Sequence, residues 1–141
     1  MKRVFMFCIL FCVTFVAVLN LKMFYLILTT DPPPAYMVKN LEEQVGCAKK
    51  AGFVFEKPIL RILKPPYKFG SPHGFAHMYL NIITIVTFAS YETMAHELGH
   101  IIDYQTGRKG HPFFVGKENL DIEVFAYVVG DVILNQCRSV N

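Results

Sequence analysis

The chain has 141 residues, 53% of them hydrophobic and 18% charged, with a formal net charge of +3 at pH 7. That length suits a separate segment and one small domain, and excludes a second domain of ordinary size. The excess positive charge resides in Lys2, Arg3 and Lys22: residues 31–141 carry eleven Lys/Arg against eleven Asp/Glu, so no basic surface remains to argue for nucleic-acid binding.

Lys2-Arg3 precedes an uncharged apolar run over residues 4–19, and after Asn20-Leu21-Lys22 the apolar character resumes over 23–28. Taken as one helix, residues 4–28 are long enough to cross a hydrocarbon core of about 30 Å, with Lys22 near one end where it can snorkel. The run is long and lacks a small-x-small cleavage site. Residues 1–30 are therefore expected to be an uncleaved N-terminal transmembrane helix, with a cleaved signal segment and secretion as the alternative. The charge distribution keeps the N-terminus cytoplasmic and exports the remainder to a periplasmic, extracellular or lumenal space.

Asp31-Pro32-Pro33-Pro34 cannot continue a helix and reads as a stiff spacer over 31–34, leaving 35–141 as the domain. Residues 36–51 read as a helix, with Met37, Leu41, Val45 and Ala48 at helical spacing and Gly52 as its stop. Residues 58–63 read as a strand ended by Lys64-Pro65-Pro66, and residues 69–74 as a turn or loop. The β-branched and aromatic stretch 75–88 reads as strand, divided in two at Asn81. In this reading His73 and His77 are loop and strand residues, despite their i, i+4 spacing. A helix is expected over 91–105, capped by Ser90 and stopped by Gly107 and Arg108-Lys109-Gly110. A final helix over 121–135 has an apolar surface including Val124, Phe125, Val128, Val132 and Ile133. The order implies an α+β domain with a short, mostly antiparallel sheet packed by the helices.

Within the 91–105 helix, His96-Glu97-Leu98-Gly99-His100 has the residue types and spacing of a zinc-peptidase site. Histidines at i and i+4 share a helix face and can hold one Zn²⁺, while Glu97 is placed to take a proton from water there. Asp103 lies on the same face and can orient a ligand. Gly99 costs roughly 1 kcal/mol against alanine in a helix, which argues for a close approach by another element. The apolar run before His96, residues 82–89, is too short to span a bilayer, so the motif is not that of an intramembrane protease.

A catalytic zinc normally takes three protein ligands. The metzincin spacing would place the third at Thr106, which excludes it, and leaves Glu123, Asp121 or Glu118 as candidates. Cys8 and Cys12 lie in the apolar run. Cys47 and Cys137 either pair across the domain or remain buried thiols.

Residues 96–103, followed after a loop by Glu123-Val124-Phe125-Ala126, resemble the gluzincin-like zincin metallopeptidases with an HExxH motif, of the anthrax lethal-factor-like and minimal bacterial kinds. The resemblance covers roughly residues 90–130. It implies a zincin-like domain, a Zn²⁺ cofactor, His96, His100 and Glu123 as metal ligands, Glu97 as the general base, and a peptide or protein as substrate. It also implies that the small Ala126 lets two helices approach. For a further donor to the transition state, Tyr127 is the first candidate, ahead of Tyr104, His111 and Tyr79. The strand over 82–88 could present its edge to an extended peptide. The alternative is a membrane-tethered zinc-binding or inactive module that grips a protein partner.

Overall fold

The computed structural model describes residues 2–66, 73–107 and 119–139. The chain divides into two compact units, Met1–Thr30 and Asp31–Asn141.

The first unit is one uninterrupted helix, α1 (Lys2–Thr29). Polar side chains on it bond back to the helix itself: the Asn20 amide donates to the Val16 carbonyl at 2.8 Å and the Thr29 hydroxyl to that of Tyr25 at 2.8 Å. Val13, Val16, Leu21, Phe24 and Leu28 are all more than half exposed. Among the residues whose side chains are described, which in α1 leave out 2–12 and 19, no helix is long and apolar enough to cross a membrane.

The second unit is α+β. After the two-residue strand β1 (Thr30–Asp31) at the junction come α2 (Ala35–Lys50), β2 (Ile59–Leu63), β3 (Gly74–His77), a 3₁₀ turn (Met78–Leu80), β4 (Ile82–Ile85), α3 (Tyr91–Gln105) and α4 (Asn119–Arg138). Pro34 precedes α2, and Gly52 beyond it adopts φ +96°, a conformation that suits a residue without Cβ. α2 buries Met37, Leu41, Val45 and Ala48, the face that its helical spacing marks out.

The sheet order is β1-β2-β4-β3. β2 pairs with β4 in parallel, Ile59 opposite Ile82, whereas β3 pairs with β4 antiparallel, Gly74 opposite Ile85. The sheet is thus mixed: beside the antiparallel pair of β3 with β4 it has a parallel pair, β2 with β4. The cause lies in the connections. Asn81, at φ +51°, turns the chain between β3 and β4 and makes that pair a hairpin, while β2 and β3 are too far apart in sequence for a tight turn and lie on opposite sides of β4. All four residues of β4 are consequently buried, and β4 offers no edge to a peptide; that edge belongs to β3. Gly74, expected in the preceding loop, is the first residue of β3; residues 67–72 lie outside the described residues.

α4 departs in part from its expected apolar face: Ile133 is buried and Phe125 packs against the core as expected, but the three valines do not. Val124, Val128 and Val132 are exposed, at 53%, 55% and 40%, while Ala126, Val129, Ile133 and Cys137 are buried. Both sets recur at helical spacing, so periodicity does not choose between them. The small residues decide: Ala126 and Gly130 face α3 and let the helix axes approach, which turns the bulky valines outward. A Cys47–Cys137 disulfide, Cα–Cα 5.3 Å, joins α2 to the last turn of α4. The core between sheet and helices includes Leu41, Ile83, Ile85, Leu98, Ile101 and Ile133.

Candidate metal centre

α3 begins where Ser90 can satisfy an orphan amide: its hydroxyl accepts from the Thr93 N–H at 3.1 Å. Glu92 sits in the first turn, its carboxyl held below the usual range by its own backbone N–H and then by Ser90. From that start the helical repeat places His96 and His100 one turn apart, with ring centroids 4.7 Å apart and planes at 84°. Their Nε2 atoms are 3.1 Å from each other.

The third donor comes from α4, and a single missing side chain brings it within reach. A Cβ on Gly99 would stand 2.5 Å from the Ala126 carbonyl oxygen and 2.9 Å from its Cα. The backbones of α3 and α4 therefore touch at this crossing. One turn before Ala126, Glu123 reaches back to the histidines: Oε2 is 3.2 Å from His96 Nε2 and Oε1 is 3.5 Å from His100 Nε2. His96, His100 and Glu123 form a group that could hold a metal ion, with ligand atoms all within 4.8 Å of one another. Two donors each about 2.0–2.1 Å from a tetrahedral ion stand about 3.3–3.4 Å apart, which is the spacing of these atoms. Asp121 is not a member of the group. Glu118 and His111 lie outside the described residues.

Glu97 faces the sheet. It is only 7% exposed. Burial, and then the negative charge of Glu123, push its carboxyl up to about 7, while a hydrogen bond from the Ala76 backbone N–H works in the opposite direction. Neighbouring β3 leaves room for it, since a Cβ on Gly74 would lie 2.9 Å from Glu97 Cγ and 3.0 Å from Oε1. Asp103 is buried (2%) on the same helix, one turn beyond His100.

Tyr127, one turn beyond Glu123, lays its ring against that of His96, with centroids 4.2 Å apart, and is otherwise 65% exposed. This contact helps to hold the imidazole, whose buried Nδ1 has no hydrogen-bond partner among the described residues. Tyr79 and Tyr104 pair with each other, ring centroids 5.0 Å apart. His73 is exposed against the edge of Phe88, and His77 Nε2 lies 3.0 Å from the Thr84 hydroxyl; neither belongs to the His96, His100 and Glu123 group.

Gly74 and Ala76 contribute to the surroundings of Glu97 without having been marked by their chemistry. The available signal was positional, a glycine next to a strand being a common sign of close backbone approach.

Comparisons with protein-family models, with characterised proteins and with solved structures returned no match.

Proposed function

We propose that the chain is a membrane-anchored zinc-dependent metallopeptidase of the gluzincin-like zincin kind, which hydrolyses peptide bonds in an exported compartment. The observation that carries this reading is the convergence of Glu123 on both motif histidines at 3.2 and 3.5 Å, with Glu97 beside them. Two imidazoles and a carboxylate suit zinc, and the spacing suits its tetrahedral preference.

Bound zinc supplies Lewis-acid polarisation of a carbonyl and acidification of water. His96 and His100 offer Nε2 and Glu123 a carboxylate oxygen. Glu97 is suited to proton transfer as a buried carboxyl next in sequence to His96. It accepts a proton from the attacking water and returns it to the leaving amine. Tyr127 keeps the His96 ring in place and has a hydroxyl with which to meet substrate. Among the described residues β3 is the outermost strand on its side of the sheet, and its outer edge is the place for an extended peptide to add as a further strand.

The anchor reading rests on the uncharged run 4–19, on the continuity of α1, about 42 Å at 1.5 Å per residue, and on its exposed apolar side chains. The Cys47–Cys137 disulfide favours an oxidising compartment for the domain.

Purified protein should contain one zinc per chain by elemental analysis and cleave an unstructured protein substrate, with chelation abolishing cleavage. Glu97→Gln should lose cleavage and keep the metal. Metal binding without cleavage in the native chain would favour the partner-gripping module, and absence of stoichiometric metal would refute the peptidase and the zinc-binding form of that module.

A further inference from the structure

We infer that Gly74 and Ala76, on the edge strand β3, are positioning residues that seat Glu97, so that the Ala76 N–H serves the base and not the substrate. The inference deepens the peptidase reading and rests on it.

Register gives the first step. The Val86 N–H donates to the His73 carbonyl at 2.9 Å, continuing the ladder in which Gly74 stands opposite Ile85 and Phe75 opposite Thr84. Hydrogen-bonded and non-hydrogen-bonded pairs alternate along an antiparallel ladder. His73, Phe75 and His77 thus direct their backbone groups at β4, whereas Gly74 and Ala76 direct theirs to the outer edge. One outward group already has its acceptor: the Ala76 N–H is directed at the Glu97 carboxyl, whose Oε1 lies 3.0 Å from the position a Cβ would take on Gly74 of the same strand.

Steric fit gives the second step. Gly74 and Ala76 lie two residues apart and share one face of the strand. A Cβ at Gly74 would meet Glu97 Cγ at 2.9 Å and Oε1 at 3.0 Å, and on its other side Ile85 Cγ2 at 3.1 Å. Ile85 is fully buried and cannot yield, but the glutamate side chain can rotate. A side chain at position 74 would therefore be accommodated by moving Glu97. The cost falls on alignment of the base more than on the fold, and proton transfer is steeply sensitive to such misplacement.

The edge also divides. With the Ala76 N–H engaged and Gly74 itself buried, a peptide laid along β3 has the Ala76 carbonyl for pairing, and its register is limited accordingly.

The test uses the full chain in three forms: native, Gly74→Ala and Ala76→Pro. Proline at 76 removes the N–H that faces Glu97, and no ladder hydrogen bond is lost because that group points away from β4. Both variants should lower kcat at least tenfold, with KM within twofold of native and zinc content unchanged. Native kcat in Ala76→Pro, or a loss confined to stability or metal content, would overturn the inference. A second measurement is independent of activity: hydrogen exchange at the Ala76 amide should accelerate at least tenfold in Glu97→Ala, with the Phe75 amide unchanged. Equal Ala76 exchange in the two proteins would overturn the seat even if the native chain cleaves peptides. Accelerated exchange in a chain that cleaves nothing would uphold the seat and refute the peptidase reading alone.

Discussion

Replacing Gly99 with alanine should separate metal binding from folding. The added Cβ would stand 2.5 Å from the Ala126 carbonyl oxygen, and ordinary contact begins near 3.4 Å, so α4 must retreat by about 0.9 Å at this crossing. Both obstacles are backbone atoms, so no rotamer change relieves them. Glu123 is one turn away on the same rigid helix, and its oxygens, now 3.2 and 3.5 Å from the two Nε2 atoms, would move to about 4 Å or beyond. A metal site tolerates ligand displacements of about 0.2 Å. Overpacking costs about 1–3 kcal/mol, and exchanging glycine for alanine inside a helix returns about 1 kcal/mol. The variant should therefore fold, with a net loss of roughly 1 kcal/mol, while zinc affinity falls on the order of 10- to 100-fold, as when a ligand loses its support. Competitive titration against a chromophoric chelator measures the affinity, and urea unfolding of the metal-free protein measures stability. Native zinc affinity in a folded Gly99→Ala protein would refute the argument that this crossing sets the position of Glu123.

Ligand identity can be tested on neighbouring positions: Glu123→Gln should weaken zinc binding at least tenfold, and Asp121→Asn should leave it within twofold in the same titration. The Cys47–Cys137 bond spans a sequence separation of 90, which corresponds to about 4.6 kcal/mol of loop-closure entropy in the unfolded chain. Replacing both cysteines by serine should lower unfolding free energy in urea by about that amount; a loss below about 1 kcal/mol would contradict it. Glu97 gives a pH signature in the metal-free chain. Its carboxyl rises from 4.5 to about 7 on folding, so its contribution is fully present below pH 4.5, diminishes as pH rises through 7, and is absent above. Glu97→Gln should accordingly be more stable than the native chain by up to about 3 kcal/mol at pH 8, with the difference shrinking toward pH 4.5.

Local signals made much of the centre legible. Ser90, the i, i+4 histidines and Gly107 define α3 with the bounds read from sequence, because capping and helical repeat are properties of neighbouring residues. Glu123 was open against Asp121 on residue type alone, since both are carboxylates near the start of α4; only the helix crossing at Gly99 and Ala126 separates them. The sheet was less legible. Short apolar strands carry a pattern but no partner, and the parallel pairing of β2 with β4 depends on the connection through residues 64–73. The outward turn of Val124, Val128 and Val132 escaped for a related reason: hydrophobicity ranks valine above glycine and alanine as a core residue, whereas close helix packing favours the smaller pair.

α4 is held at two points, Cys137 by its bond to α2 and Glu123 toward the histidines, fourteen residues or about 21 Å apart along the helix. On the proposed reading the two attachments answer to different chemical conditions, one to redox poise and the other to zinc supply. A cell compartment that reduces thiols and buffers zinc tightly would leave both unmade. An oxidising space supplied with zinc would complete both together, so the surroundings into which the chain is delivered would act as its assembly signal.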